Sequence, residues 1–267
     1  MATLLNSEFA PALLSRIEDA GLNASAPAQQ RWLDGWMVRF SPGKAKRARC
    51  VNAVADGRSP LADRIAACAR LYEQAQLPLI VRITPFTRPA DLDAVLEQRG
   101  LSRFDDTRVM VLADLASLDN LPIGNTASHV GITIESSGLE SFAHRVGGFR
   151  GSPLAQRQAH AERLLDSPVP FFAFEVRDRG SVVACGQFAL EDDLVGLYDV
   201  FTSAPARGRG IAGLLCKQLL AQARSKGARH AYLQVEGDNH AARAVYHRLG
   251  FLDGYAYHYR TWDPATA

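Results

Sequence analysis

Between Val200 and Phe251 the sequence gathers most of the residue types that could handle a phosphorylated ligand. Arg207, Gly208, Arg209, Gly210, Ile211, Ala212 and Gly213 follow a strand-like stretch and open an amphipathic one. Glycines at 208, 210 and 213 let a ligand approach the main chain. The first turn of a helix offers unpaired N–H groups and partial positive charge, and Arg207 and Arg209 add fixed charge. A Walker loop would end in Gly-Lys-Ser/Thr, which is missing. The letters Gly-x-Gly-x-x-Gly do fit 208–213, but a dinucleotide loop belongs early in a parallel βαβ unit, a context these residues lack. Further on, Asn239 and Tyr246 stand seven residues apart, two helical turns, and so share one helix face. By itself Asn239 also reads as a helix cap and Tyr246 as a core aromatic.

Composition narrows the choice. The 267 residues hold 30 Lys and Arg against 28 Asp and Glu, a net charge of +2. That is too little to point to nucleic acid or an anionic membrane as partner. The local basic run Lys44, Lys46, Arg47 and Arg49 reads as a solvated strand or loop edge. Cys50, Cys68, Cys185 and Cys216 form no Cys-x-x-Cys pair, and His230, His240, His247 and His258 match no ligand spacing, so buried thiols and no metal are expected. With 47% apolar residues the chain is an ordinary globular one. Its longest apolar runs, Met110–Ala113 and Val169–Phe174, fall short of the roughly 20 residues that cross a bilayer. Met1–Ala20, which carries Glu8, Glu18 and Asp19, does not read as an export signal. The expected location is the cytoplasm.

The elements that would position these residues follow from periodicity. A helix is expected over Ser7–Ala20, capped by Asn6 or Ser7 and stopped by Gly21, with polar sequence after it as far as Gln30. Then come strands Gly35–Phe40 and Arg49–Val54, helix Leu61–Gln76, strand Leu79–Thr84, helix Ala90–Arg99 and strand Thr107–Leu112. Asp114–Ser128 has the turn residues of a connector. The second half reads as strand Gly131–Glu135, helices Leu139–Val146 and Pro153–Leu165, and strands Phe171–Arg177, Ser181–Leu190 and Val195–Thr202. Helix Gly210–Lys226, strand His230–Glu236, helix His240–Leu249 and strand Gly254–Trp262 complete it. Slid by 150 residues the halves fall into register, Leu61–Gln76 on Ile211–Lys226 and Arg99-Gly100-Leu101 on Leu249-Gly250-Phe251, which suggests an internal duplication.

Arg207-x-x-Gly210-x-Ala212 resembles the Gln/Arg-x-x-Gly-x-Gly/Ala signature of the GNAT superfamily of CoA-dependent N-acetyltransferases. Asn239-x-x-Ala242-x-x-x-Tyr246-x-x-x-Gly250-Phe251 is similar to that family's later motif, in the right order and after a strand. The resemblance implies an α+β fold of two tandem GNAT-like domains, each a mixed, mostly antiparallel sheet flanked by helices. Residues 1–125 would form a degenerate N-terminal domain and 126–267 the catalytic one. It further implies a splay between the strands Val195–Thr202 and His230–Glu236 that takes acetyl-CoA. The pyrophosphate would lie on the turn Arg207–Gly213, chiefly on the main chain of Arg209, Gly210, Ile211, Ala212 and Gly213. The edge of Val200, Phe201 and Thr202 would pair with the pantetheine arm, Asn239 would contact that arm, and the Tyr246 hydroxyl would protonate the departing thiolate.

An amine acceptor must also lose a proton, since an alkylammonium has a pKa near 10. Asp199, in the strand at the splay, and Glu236, at the end of the neighbouring strand, are the candidate bases, with His258 a third. In the first half Pro60 and Leu96 stand where the offset places Gly210 and Tyr246, so that half should not bind CoA. It would pack as an internal pseudo-dimer partner and wall the acceptor pocket through Trp32, Trp36, Arg39 or Arg82. The expected activity is transfer of an acetyl group from acetyl-CoA to a primary amine by direct attack in a ternary complex. The alternative is a non-catalytic module that binds or senses acyl-CoA.

Overall fold

The computed structural model describes residues 5–120 and 130–267. The first half contains α1 (Pro11–Asn23), β1 (Gln29–Leu33), β2 (Trp36–Phe40), β3 (Val51–Ala53), α2 (Leu61–Gln74), β4 (Val81–Ile83), α3 (Leu92–Gln98) and β5 (Ser102–Leu112). The second contains β6 (Ile132–Ser137), α4 (Leu139–Phe149), α5 (Leu154–Leu165), β7 (Phe171–Asp178), β8 (Ser181–Glu191) and β9 (Leu194–Thr202). It ends with α6 (Ile211–Ser225), β10 (His230–Glu236), α7 (His240–Arg248) and β11 (Leu252–Thr261). The expected boundary near residue 126 lies outside the described residues. No helix among the described residues is long and apolar enough to cross a membrane.

All eleven strands form one sheet, in the order β1-β2-β3-β4-β11-β5-β10-β9-β8-β7-β6. The final strand of each half is exchanged: β11 lies between β4 and β5, and β5 lies between β11 and β10. Outward from the β5–β11 pair, both directions meet the same sequence of pairings. An antiparallel pairing comes first, β11 with β4 on one side and β5 with β10 on the other, and then a parallel one, β4 with β3 and β10 with β9. Antiparallel strands follow on each side. The helices α2 and α6, and the glycines at 100 (φ +82) and 250 (φ +88) that end α3 and α7, match at the 150-residue offset. This two-fold arrangement is the tandem GNAT-like, mixed-sheet α+β fold.

Two boundaries differ from expectation for physical reasons. Helix α1 begins at Pro11, whose missing N–H costs nothing in a first turn, and runs through Gly21 to Asn23. Gly21 does not stop the helix. A Cβ there would come within 2.9 Å of the Gln234 side-chain nitrogen, so the glycine permits the helix to cross β10. Strand β1 was not expected, because its exposed Gln-Gln-Arg-Trp segment has no apolar face. The turn Asp34-Gly35, with φ of +44 and +84, folds it onto β2 as a type I′ hairpin would.

That turn also closes the first half's counterpart of the glycine loop. The Asp34 carboxylate accepts hydrogen bonds from the main-chain N–H of Arg58 (3.0 Å) and Ser59 (2.7 Å), just ahead of α2. These bonds lower its pKa to about 2. A carboxylate of the chain itself thus sits where an anion would bind.

A buried ion pair within the first half is also the point where β11 of the second half docks. Arg82 of β4, 2% exposed, donates to both oxygens of Glu18 on α1. The Tyr255 hydroxyl of β11 donates to the same carboxylate at 2.7 Å, and the guanidinium lies 3.9 Å from the centre of the Tyr257 ring. Breaking such a pair leaves a desolvated charge. Glu18→Ala should lose about 3–5 kcal/mol in urea unfolding, and adding Arg82→Met should recover much of that loss. For Asp34 the folded pKa lies below the unfolded value near 3.9, so its contribution is complete above about pH 4 and fades as the pH falls toward 2. Asp34→Asn should melt below the parent protein near neutral pH and converge with it toward pH 2.

Candidate active site

The parallel ladder between β9 and β10 runs from Leu194–His230 to Leu197–Leu233 and stops. There β9 bends away. Between the pairs Gln187–Tyr198 and Cys185–Phe201, Gly186 of β8 faces two residues, Asp199 and Val200, and Asp199 takes φ +51. This β-bulge re-aims the strand. Tyr198–Thr202 remain paired only to β8 and Gln234–Glu236 only to β5. The two edges that face each other across the gap therefore keep free donors and acceptors, which an extended amide chain can use as a strand would.

A turn at Ala204–Ala206 then leads to Gly208 (φ +76) and Gly210 (φ +74), directly ahead of α6. A Cβ at Gly208 would meet nothing within 4 Å. Leu214 N–H makes the helix's first bond, to the Gly210 carbonyl, so the N–H groups of Ile211, Ala212 and Gly213 point out of the helix end. They form an anion seat of the kind helix N-termini provide. Arg207 donates to the Thr202 carbonyl (3.2 Å), and Arg209 pairs with Asp178 (2.7 Å). Both arginines are anchored by the loop's own neighbours.

The gap opens into a cavity of about 410 Å³ that passes between the two sides of the sheet. Asn239, Ala242 and Tyr246 of α7 line it on one side, and the end of α4 together with α5 on the other. Asn239 accepts from the Ala242 N–H at 3.1 Å, so it caps α7 while lining the cavity. Tyr246 is 8% exposed, and burial raises its pKa. Its hydroxyl stays protonated at any working pH.

Asp199 lines the cavity, but it is already engaged. Arg150 (2.6 Å) and Gln187 (2.8 Å) donate to it, and His160 Nε2 lies 3.3 Å away. Burial alone would raise its pKa; the His160 hydrogen bond and the Arg150 charge hold it well below the usual carboxylate range. As a proton acceptor it is therefore weak. Glu236 is exposed at the cavity and makes no ion pair among the described residues. His258 is absent from the cavity: buried in β11, its Nε2 lies 2.9 Å from Asp93 of α3.

The first half does line the cavity, through residues that the sequence did not single out for it. Trp32 is exposed on β1, Trp36 is in a separate core, Arg39 bonds Gln30, and Arg82 bonds Glu18. None lines the cavity. Instead the segment between β2 and β3 contributes Ser41, Gly43, Lys44, Ala45, Arg47 and Ala48. Arg47 donates to Gln234 of β10 (2.5 Å) and to the Tyr257 hydroxyl (3.0 Å). The basic run read as a solvated edge is thus partly turned inward. Arg157, His160 and Arg163 were also missed; their i, i+3, i+6 spacing on α5 was the available signal.

Residues 140–251 match the acetyltransferase (GNAT) family. The chain is 26% identical over 239 residues to the uncharacterized N-acetyltransferase YobR of Bacillus subtilis (strain 168), an alignment covering 89% of this chain and 94% of that protein. Among solved structures, the GCN5-related N-acetyltransferase from Kribbella flavida superposes with a TM-score of 0.68 at 16% identity, covering 96% of this chain and 97% of the other. A tandem GNAT protein from the clavulanic acid biosynthesis pathway gives 0.60 at 15% identity, over 75% and 68% of the two chains. The structural matches are likenesses of fold: with the two-fold sheet they show a tandem GNAT fold, in which the stretch matching the acetyltransferase (GNAT) family runs over residues 140–251.

Proposed function

We propose that the protein is an acetyl-CoA-dependent N-acetyltransferase that passes the acetyl group to a primary amine by direct attack in a ternary complex. The observation that carries this reading is the open pair of strand edges on β9 and β10, set beside the glycine-led start of α6. The residues present fit such a donor. Besides the free edges, Thr202 Oγ1 and Gln187 Oε1 are buried without partners next to the gap. In this reading residues 126–267 are the catalytic half and 1–125 a degenerate partner.

The acyl donor supplies an activated thioester. The turn Arg207–Gly213 holds its diphosphate through main-chain N–H groups, Val200, Phe201 and Thr202 pair with its amide arm, and Asn239 contacts that arm. Main-chain N–H groups near Phe201 polarise the acyl carbonyl. Tyr246, kept protonated by burial, donates to the leaving sulfur. Glu236 takes the amine's proton, directly or through water, a contribution typically worth about 10²–10⁴ in rate. Asp199, already saturated with donors, orients His160 and Arg150 at the acceptor side instead.

Gly210→Pro should abolish acetyl-CoA binding in calorimetry, because it removes an N–H and cannot adopt a positive φ. Wild-type protein should bind about one acetyl-CoA per chain, since Asp34 fills the other loop; two sites would contradict that asymmetry. Tyr246→Phe should lower kcat about tenfold or more with little change in cofactor affinity. Tight acetyl-CoA binding without CoA release on any primary amine would replace the enzyme with an acyl-CoA-binding module.

A further inference from the structure

The cavity is far more cationic than the chain as a whole. Lys44, Arg47, Arg150, Arg157 and Arg163 line it against two carboxylates, Asp199 and Glu236, in a protein whose net charge is only +2. Asp199 is taken by Arg150. Among the described residues Arg47, Arg157 and Arg163 make no ion pair. Arg47 bonds only neutral groups, Gln234 and Tyr257, and its Nε is buried without a partner. Arg163 donates to the Ala24 carbonyl at 2.8 Å, and burial lowers its pKa. Arg157 Nε is also buried without a partner.

Arg157 is deliberately seated. Its stem crosses α4 at Gly147, where a Cβ would come within 2.3 Å of Arg157 Cγ; only glycine leaves room for it. Desolvated guanidiniums without counter-ions are costly, and they are arranged around a space rather than around a carboxylate of the chain. They come from two places far apart in sequence, α5 and the segment between β2 and β3.

Resting on the acetyltransferase reading, we propose that the amine acceptor carries an anionic group, a carboxylate or a phosphate, which Arg47, Arg157 and Arg163 bind. A plain alkylammonium entering this cavity would meet more cations than anions, with Asp199 already paired to Arg150 and Glu236 the one carboxylate of the lining without an ion pair among the described residues. An acceptor with its own anion is attracted, and the surrounding positive charge then favours the neutral, nucleophilic form of its amine. Guanidiniums suit such oxyanions because their forked donors match both.

Isothermal titration of the CoA-loaded protein with phosphoethanolamine, β-alanine and ethanolamine reads this preference without turnover. At least one of the two anionic amines should bind about tenfold or more tightly than ethanolamine. Phosphoethanolamine in the lead marks a phosphate-bearing acceptor, β-alanine a carboxylate-bearing one. Arg157→Gln should remove the advantage, and so should Gly147→Ala, which displaces the same side chain; CoA affinity should be unchanged in both. The proposal is overturned if ethanolamine binds as well as both anionic amines, or if Arg157→Gln keeps the advantage. It is also overturned if Arg157→Gln weakens CoA itself about tenfold, which would give these cations to the acyl donor. Failure of wild-type protein to bind CoA at all is a separate result, which removes the acetyltransferase reading together with the proposal.

Discussion

The site depends on one constraint: two neighbouring strands stop pairing in the middle of a sheet and must be kept from closing. Unpaired edges are normally covered or drawn together, because each free N–H and C=O seeks a partner. Here β9 is held off by the bulge at Asp199–Val200, which shifts its register against β8. On the other bank β10 is held by β5 along Ala231–Glu236. Deeper in the gap the Tyr198 and Tyr232 hydroxyls meet at 2.8 Å, and Gly196 leaves the room their rings need, since a Cβ there would come within 2.6 Å of Tyr232. The opening is thus wedged by side chains and clamped at both outer edges.

The outer clamp on β10 belongs to the other half of the chain. Strand β5 ends the first half yet borders β10, and β11 ends the second half yet borders β4. The exchange explains why Arg47, close to β3, can reach Gln234 and Tyr257. It also explains why Glu18, Arg82 and Tyr255 converge from α1, β4 and β11. The two halves share one polar seam beneath the gap. A charge placed in that seam is buried on all sides, which makes its partners matter more than they would at a surface.

Much of this was legible in the sequence, and the part that was not has a common cause. The glycine turn, the cap at Asn239 and the glycines at 100 and 250 that end α3 and α7 are local: backbone conformation and first-turn hydrogen bonds depend on a few adjacent residues. The strand positions of the second half also follow from their patterning. Which strand neighbours which does not, since β5 and β11 would alternate in the same way beside any partner. For the same reason Gly21 reads as a stop although it is a crossing point with β10, and His258 reads as a third candidate base although β11 carries it away to α3. Lys44 and Arg47 look like surface charge until the segment between β2 and β3 is folded over the opening.

The first half therefore need not keep an open glycine loop of its own to shape the cavity beside the second half's loop. Its own loop is closed by Asp34, and its short parallel pair β3–β4 covers only Val51–Val81 and Asn52–Arg82. What it provides is mechanical and electrostatic. Strand β5 fixes the outer edge of β10, and Arg47 pins the end of β10 at Gln234 while carrying positive charge into the cavity. Without residues 1–120, β10 would lose β5 on one side and β11 would lose both of its neighbours, β4 and β5, leaving long edges unpaired.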